Sequence, residues 1–223
     1  MISSKFLIVL ALGTLSMLIP MLILGKWYHI RKIKIVIAAL LLTISGVFGT
    51  YFWYVVENFV IGGRSFYGAV FIVPLLFLLI AKILRVPYAH LLDLCAPAEC
   101  VMLVLMKILC LTEGCCGGRV LWVDANGTEV IFPSQLAELM SAFVVFTVLM
   151  ILAYREKNRG MIYPWYLVLY GATRFTLNFF REEWVTTSHF VPLGTIWSVI
   201  AFIIGMGILL FYKKRKSAQY LKK

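Results

Sequence analysis

Apolar runs of membrane-spanning length follow one another along almost the whole of this chain. A transmembrane helix needs about 20 predominantly apolar residues, because every backbone polar group must find its partner within the helix. Proline or glycine separates most of the runs, as expected for turns. We predict an all-α polytopic membrane protein whose seven spans lie at about residues 6–24, 35–55, 67–84, 96–112, 139–154, 161–180 and 191–212.

The composition leaves no room for a soluble domain. Hydrophobic residues make up 62% of the chain and charged residues 14%, whereas soluble domains average about 25% charged residues. We therefore expect a single membrane domain, residues 1–223. Only Lys5 precedes the first run as a charge, so we interpret this run as an uncleaved helix rather than a signal peptide. Glu99 and Lys107 interrupt the fourth run, where we expect a short, tilted or partly re-entrant helix.

The positive charges indicate an orientation in the membrane. The net charge is +11, but the Lys and Arg residues form short clusters between apolar runs and have no folded domain around them, which argues against nucleic-acid binding. With seven spans, fifteen positive residues fall on one side and four on the other. The positive-inside rule then places the N-terminus outside and the C-terminus in the cytoplasm, with residues 213–223 as a basic cytoplasmic tail. Most acidic residues collect on the outer side, so we expect any chemistry to face outward.

A polar stripe runs along the sixth predicted span. Its residues are spaced by four, four and three positions and therefore share one helical face: Tyr170, Arg174, Asn178 and Arg181. Two arginines cannot face lipid, so this stripe either lines a polar cavity or pairs with acids. A guanidinium group matches the oxygen pair of a lipid phosphate. The alternative is pairing with Glu138, Glu182 or Glu183, or snorkelling to the membrane surface.

The fourth predicted span repeats this arrangement with Lys107, Cys110 and Gly114 on one face. Lys107 lies well inside an apolar run and needs a counter-charge. The candidates are a bound phosphate or one of three carboxylates: Glu99, Glu113 and Glu138. A buried structural ion pair and a ligand-binding cation both remain open here.

Glycines, cysteines and histidines add weaker signals. The segment of residues 62–68, GGRSFYG, could bring backbone close to a ligand. The five cysteines are odd in number and form no disulfide framework, so we expect them to pack as small residues between helices. The three histidines are scattered; we predict no metal site and no cofactor.

Five segments, in order over residues 46–181, resemble the motifs of the prolipoprotein diacylglyceryl transferase family. They are residues 62–68, Asp93 with Ala96 and Pro97, residues 107–118 (KILCLTEGCCGG), residues 133–138 (PSQLAE), and the stripe from Tyr170 to Arg181. The resemblance implies transfer of a diacylglyceryl group from phosphatidylglycerol, or a similar anionic phospholipid, to the lipobox cysteine thiol of a prolipoprotein signal peptide. It also implies a multi-pass protein of the bacterial cytoplasmic membrane with its active face toward the outside.

The resemblance implies roles for individual residues. Arg174, with Lys107 or Arg181, would neutralise the phosphate, and Tyr67 or Glu138 would handle the proton. The expected substrate-binding residues are Gly63, Gly68, Cys110, Gly114, Gln135, Tyr170, Asn178 and Arg181.

The chain departs from the family pattern at several motif positions. The replacements are Tyr67 for histidine, Lys107 for arginine, Glu113 for asparagine, Ala137 for tyrosine and Asn178 for glutamate. They leave open a second hypothesis, a non-catalytic lipid-binding or interaction paralogue that retains the fold. A small transporter is a third, which the lack of an internal repeat disfavours.

Overall fold

A computed structural model describes residues 4–181 and 192–220 of the chain. These residues form seven α-helices, one β-hairpin and one 3-10 turn, which confirms the all-α polytopic class. The helices are α1 (Ser4–Trp27), α2 (Lys32–Asn58), α3 (Tyr67–Leu84), α4 (Tyr88–Glu113), α5 (Ser134–Tyr154), α6 (Ile162–Asn178) and α7 (Leu193–Tyr220). The strands are β1 (Val120–Val123) and β2 (Glu129–Ile131), and the 3-10 turn is Glu156–Asn158.

Among the described residues, six helices are long and apolar enough to cross a membrane: α1, α2, α3, α4, α5 and α7. The sixth predicted span corresponds to α6, which has 17 residues and is about 26 Å long. It packs most extensively against α7 and also contacts α4 and α5. The predicted start of the tail, residue 213, falls inside α7, while residues 221–223 lie outside the described part of the chain.

Helix α4 differs from its prediction. It runs unbroken for 26 residues and begins at Tyr88, eight residues before the predicted start. Pro97, the second residue of the predicted span, lies well inside this helix, as transmembrane helices allow. More than half of the residues in its most apolar stretch are buried, the largest share among the candidate spans. The expectation of a short or re-entrant element is therefore wrong, and α4 is the central helix of the bundle.

The remaining helices pack around α4 and direct apolar side chains outward. Contacts with α1, α5, α6 and α3 surround α4, and its Leu91 and Leu94 are at most 1% exposed. Long apolar side chains on the outer faces are more than half exposed, as expected for lipid-facing positions; they include Leu15, Ile44, Leu79, Ile151 and Ile203.

Helices α2 and α3 cross at Gly49 and Gly68. A Cβ added to Gly68 would lie 1.9 Å from the carbonyl oxygen of Gly49, and a Cβ on Gly49 would lie 2.6 Å from the carbonyl oxygen of Gly68. Small residues at such crossings let two transmembrane backbones approach closely. This geometry gives Gly68 a packing role at the crossing, and the substrate contact expected for it stays a prediction.

At the end of the bundle where the basic loops lie, the carboxylate of Asp93 joins three segments. It is completely buried and accepts hydrogen bonds from the Tyr28 hydroxyl (2.5 Å) and from the backbone N–H groups of Gly160 (2.5 Å), Ile162 (2.8 Å) and Tyr163 (3.3 Å). The latter two N–H groups belong to the first turn of α6, where a negative charge is favoured. Burial, followed by the charge of Asp93, raises the pKa of Tyr28.

The β-hairpin lies at the opposite end of the bundle. Its turn is closed by Asp124, whose Oδ1 accepts from the backbone N–H groups of Asn126 and Thr128, both at 2.8 Å. The hairpin is joined to the end of α6, because the backbone N–H of Arg119 donates to the carbonyl oxygen of Phe180 at 3.0 Å. This connection positions the chain that follows α6.

Candidate active site

Three cationic side chains converge on the carboxylate of Glu138. The Nζ of Lys107 lies 2.6 Å from its Oε2, the Nη1 of Arg181 lies 2.8 Å from its Oε1, and the guanidinium of Arg174 also forms an ion pair with Oε2. The Glu138 side chain is 3% exposed. Because each ion would be costly to bury alone in a membrane, this clustering explains how all four are tolerated.

The cluster is assembled from separate elements. Lys107 is six residues from the end of α4, Glu138 is in the second turn of α5, and Arg174 is four residues from the end of α6. Arg181 lies beyond α6, where its backbone forms a bridge with Gly118 next to the hairpin. Packing of α4 against α5, and of α5 against α6, brings these positions together.

A cavity of about 570 Å³ opens beside the cluster. Its volume falls in the range of about 300–1,000 Å³ found for ligand sites. One part is lined by apolar side chains of α1 and α2, including Leu10, Met17 and Leu42. Among the described residues, the cationic side chains that line it are Arg64, Lys107, Arg174 and Arg181, and the acidic ones are Glu99 and Glu113.

Two cations of the cluster, Lys107 and Arg174, share the single carboxylate of Glu138. Lys107 and Arg174 alone exceed the charge of Glu138 by one unit. The buried Nε of Arg174 has no hydrogen-bond partner within residues 4–181 and 192–220. A buried donor without a partner is unfavourable, and Arg174 lines the cavity, so an anionic ligand there would satisfy it. The sequence leaves two alternatives for the polar stripe, pairing with an acid or lining a polar cavity. Arg174 does both.

The structure distinguishes between the predicted counter-charges of Lys107. Glu138 is its partner, whereas Glu99 is two helical turns away on α4, about 12 Å along the axis. The Glu99 carboxylate is buried and has no hydrogen-bond partner in the part of the chain that the structure describes. Two further predicted partners of the arginines, Glu182 and Glu183, lie outside the described residues.

Several predicted site residues reach the cavity. Besides the three cations, Gly63 and Cys110 line it. A Cβ on Gly63 would lie 2.1 Å from the Tyr54 ring, so only glycine fits where this loop approaches α2. Tyr170 is not part of the cavity lining; it is 5% exposed and packs edge-on to Tyr67, with ring centroids 5.9 Å apart.

Other predicted site residues make structural contacts instead. The Tyr67 hydroxyl donates to the carbonyl oxygen of Gly194 at 2.7 Å and lies 2.6 Å from the Oγ of Ser198, so it is held against α7. The Nδ2 of Asn178 lies 3.4 Å from the same Ser198 Oγ, and this contact also ties α6 to α7. Gly114 ends α4 with φ of 66°, a conformation that glycine adopts readily.

Gln135 and Ser134 anchor the loop that follows α4. The Nε2 of Gln135 and the Oγ of Ser134 each donate at 2.7 Å, to the carbonyl oxygens of Cys115 and Cys116 respectively. The structure thus gives Gln135 a contact with this loop, and its expected substrate contact stays a prediction. The loop lines the cavity through Cys115 and Cys116.

The cysteines divide into two groups. Cys95 and Cys100 are buried in α4, as predicted for small packing residues. Cys115 and Cys116 are exposed as whole residues although their thiols are partly buried, and their sulfurs lie within 4.8 Å of each other and of the Cys110 sulfur. The expectation that all five pack between helices is thus wrong for this trio. The presence of three cysteines within seven residues, Cys110 to Cys116, could have indicated this cluster. The prediction of no metal site considered only the histidines.

The Cys116 thiol is electrostatically distinct from its neighbour. A hydrogen bond with the Cys110 thiol and the positive charges of Lys107 and Arg181 lower the pKa of Cys116 to about 5, against the opposing effect of burial. Burial raises the pKa of Cys115. Cys116 is therefore a thiolate at neutral pH, while Cys115 is protonated.

Arg64 is a further cavity residue that sequence reasoning did not select. Its Nε donates to the Tyr51 hydroxyl at 3.0 Å, and its guanidinium lies 3.6 Å from the centre of the Phe6 ring. A cation–π contact of this kind holds the side chain over the apolar part of the cavity. Its position in the glycine-rich segment was the signal that could have identified it.

Comparisons with known proteins agree on one family. A family profile described as prolipoprotein diacylglyceryl transferase matches residues 6–211. The phosphatidylglycerol–prolipoprotein diacylglyceryl transferase of Geobacter sulfurreducens is 30% identical over 165 residues, which are 70% of this chain and 64% of that protein. Those of Ehrlichia ruminantium (strain Welgevonden) and Francisella tularensis subsp. novicida are each 27% identical, over 66% and 70% of this chain and 63% of each relative. The chain thus spans slightly less than two thirds of the length of these relatives, and it belongs to the prolipoprotein diacylglyceryl transferase family.

Proposed function

We propose that this protein transfers a diacylglyceryl group from phosphatidylglycerol to the cysteine thiol of a prolipoprotein. The observation that carries the proposal is the excess of cationic charge from Lys107 and Arg174 over Glu138, at the wall of a cavity that also has an apolar part. A phospholipid has the matching division into an anionic phosphate and apolar chains. The names of the similar proteins give the same pair of substrates.

The reaction requires one bond to form and one to break. The acceptor sulfur forms a bond to the terminal glyceryl carbon of the lipid, and the bond from that carbon to the phosphate oxygen breaks with its electrons. Glycerol phosphate leaves, and negative charge grows on its oxygen. Cations already fixed at that position stabilise this charge without reorganising, which is the role proposed for Arg174 and Lys107.

Glu138 holds these cations in position before the lipid arrives. Both of its oxygens are engaged, so it serves as a counter-ion and not as the proton acceptor. Tyr67 is likewise engaged with α7. We propose that the proton of the acceptor thiol passes to water at the open side of the cavity.

The proposed setting is the bacterial cytoplasmic membrane, with the cavity facing outward. The loops of residues 59–66 and 114–133 lie at the cavity end, and the strongly basic loops lie at the other end. The positive-inside rule places the basic end in the cytoplasm. The acceptor would be the membrane-inserted signal peptide of a prolipoprotein.

The test is a transfer assay with purified protein, phosphatidylglycerol vesicles and a lipobox peptide. Mass spectrometry should show a peptide heavier by one diacylglyceryl group, and a peptide with serine in place of cysteine should stay unmodified. Arg174→Ala should lower the transfer rate by about 100-fold or more. Arg159→Ala removes an arginine from the opposite end of the bundle and should leave it unchanged.

The second candidate is a non-catalytic lipid-binding paralogue. The specific observation in its favour is that the replaced motif residues Tyr67 and Asn178 both contact Ser198 of α7. It predicts no modified peptide with the unaltered chain under any lipid composition, and a measurable transfer rate would exclude it.

A further inference from the structure

We propose that Cys110, Cys115 and Cys116 form a three-thiolate site for a zinc ion, with its fourth coordination position facing the cavity and open to an external thiol. The family assignment and the proposed transfer do not include a metal. The proposal rests on the convergence of three ligand atoms from one helix end and the loop that follows it.

The geometry of the sulfurs suits a tetrahedral ion. All three sulfurs lie within 4.8 Å of one another, and those of Cys115 and Cys116 are 3.7 Å apart. Two thiolates bound to zinc at about 2.3 Å in a tetrahedron are about 3.8 Å apart. The trio therefore needs only small side-chain movements to surround one ion.

The backbone brings these thiols together. Gly114 ends α4 with φ of 66°, and Cys116 has φ of 60°, which is uncommon for a residue with a side chain. These two left-handed residues turn the chain back so that Cys115 and Cys116 approach Cys110 in the last turn of α4. The hydrogen bonds from Ser134 and Gln135 hold the turn against the start of α5.

The surrounding charge also suits a metal–thiolate group. Three thiolates and one divalent ion carry a net charge of −1. Lys107 lies one helical turn before Cys110, and the charges of Lys107 and Arg181 act on Cys116. Positive charges at these positions offset the net negative charge of a zinc ion bound by three thiolates.

A disulfide is the competing use of these cysteines. Cys115 and Cys116 are adjacent in sequence, which is a poor geometry for a bridge between them. A bridge from Cys110 to either would leave the third thiol unused beside it. Convergence of three sulfurs fits a metal ion better than a pair, since soft thiolate ligands favour zinc.

The fourth position gives the site a possible substrate. All three cysteines line the cavity beside Lys107 and Arg174, and three protein ligands with an open position are typical of catalytic rather than structural zinc. A thiol that binds zinc loses its proton, which would pass to water at the open side of the cavity as the sulfur–zinc bond forms. This part of the inference rests on the proposed function, because the external thiol would be the acceptor cysteine of the prolipoprotein.

The test is metal binding by the full-length protein in detergent, without lipid or transfer. Zn²⁺ content should be one ion per chain after loading under reducing, anaerobic conditions. Loading with Co²⁺ should give sulfur-to-cobalt charge-transfer absorption together with the intense visible bands of a tetrahedral site. Cys110→Ser, Cys115→Ser and Cys116→Ser should each weaken binding by about tenfold or more. Cys100→Ser, in the same helix but outside the trio, should bind as the unaltered chain does.

The fourth position is tested by adding a lipobox peptide to the Co²⁺-loaded protein. The charge-transfer absorption should increase with the cysteine peptide and stay constant with the serine peptide. Substoichiometric binding that persists in all three serine variants would overturn the metal site, as would a disulfide in the freshly purified protein. An unchanged spectrum with the cysteine peptide would overturn the open position. Because none of these measurements requires transfer, their failure is distinct from failure of the proposed function.

Discussion

The Oε2 atom of Glu138 lies 2.6 Å from the Nζ of Lys107, which joins α5 to α4 within the membrane-spanning part of the chain. The same carboxylate also binds Arg174 and Arg181. One acid therefore holds three cations at the wall of the cavity. This relationship determines both the stability of the bundle at that end and the charge offered to a ligand.

Replacement of this acid should destabilise the protein strongly. Glu138→Gln removes the charge that pairs with Lys107, Arg174 and Arg181, and breaking a buried ion pair costs about 3–5 kcal/mol. Thermal unfolding in detergent should therefore shift to markedly lower temperature. The control is Glu156→Gln, because the Glu156 side chain is 80% exposed in its pair with Arg159 and such pairs contribute about 0–1 kcal/mol. Equal shifts in the two variants would contradict the role of Glu138.

The lysine in this cluster should be replaceable by arginine but not by a neutral residue. Lys107→Arg keeps the charge and adds a planar fork suited to phosphate, so the transfer rate should be retained or increase. Lys107→Met keeps the apolar stem and removes the charge, and it should lower the rate by about tenfold or more. The mass-spectrometric transfer assay measures both. A Lys107→Met variant as active as the unaltered chain would remove this residue from the phosphate site.

The carboxylate of Asp93 should stabilise the opposite end of the bundle. It accepts four hydrogen bonds while completely buried. Asp93→Asn keeps the shape but replaces one accepting oxygen by a donor, which faces other donors and should cost about 1–3 kcal/mol. Glu129→Gln, on the exposed strand β2, should change the unfolding temperature little. Retention of full stability in Asp93→Asn would contradict the structure at this end.

The reactivity of Cys116 should depend on pH in a way that its neighbours do not share. Its pKa is lowered to about 5, so the thiolate predominates above that pH and is lost as the pH falls through it. Alkylation of Cys116 by iodoacetamide should therefore change little from about pH 8 to about pH 6, where an ordinary thiol with a pKa of about 8.5 slows about tenfold per unit. Peptide mapping of the chelator-treated protein locates the label. A rate for Cys116 that falls in parallel with that of Cys115 would refute the lowered pKa.

The helices were the most predictable part of this molecule. Their apolar runs are long, and a membrane span must be helical, so only the ends were misplaced. The predicted fourth span begins at residue 96 because His90 and Asp93 make the preceding segment less apolar, although α4 itself begins at Tyr88. The hairpin was not predicted, even though Asp124 and Gly127 are typical turn residues.

The site was less predictable because it depends on tertiary packing. Periodicity placed Arg174 and Asn178 on one face of the sixth span, but it could not show that α7 covers Asn178 while α5 meets Arg174. Likewise, the choice among three possible partners of Lys107 depended on how α4 and α5 pack. The convergence of Cys116 with Cys110 requires a left-handed backbone at Cys116. Cysteine rarely adopts this conformation, so the sequence does not predict it.

Binding of phosphatidylglycerol to Arg174 variants tests the central claim most directly. Native mass spectrometry of the detergent-purified protein, with lipid added, counts the bound phosphatidylglycerol molecules that survive increasing collision energy. The unaltered chain and Arg159→Ala should each retain one tightly bound molecule, and Arg174→Ala should lose it while keeping its fold by circular dichroism. Equal retention of the lipid by Arg174→Ala would contradict the assignment of this cation as the phosphate-binding group.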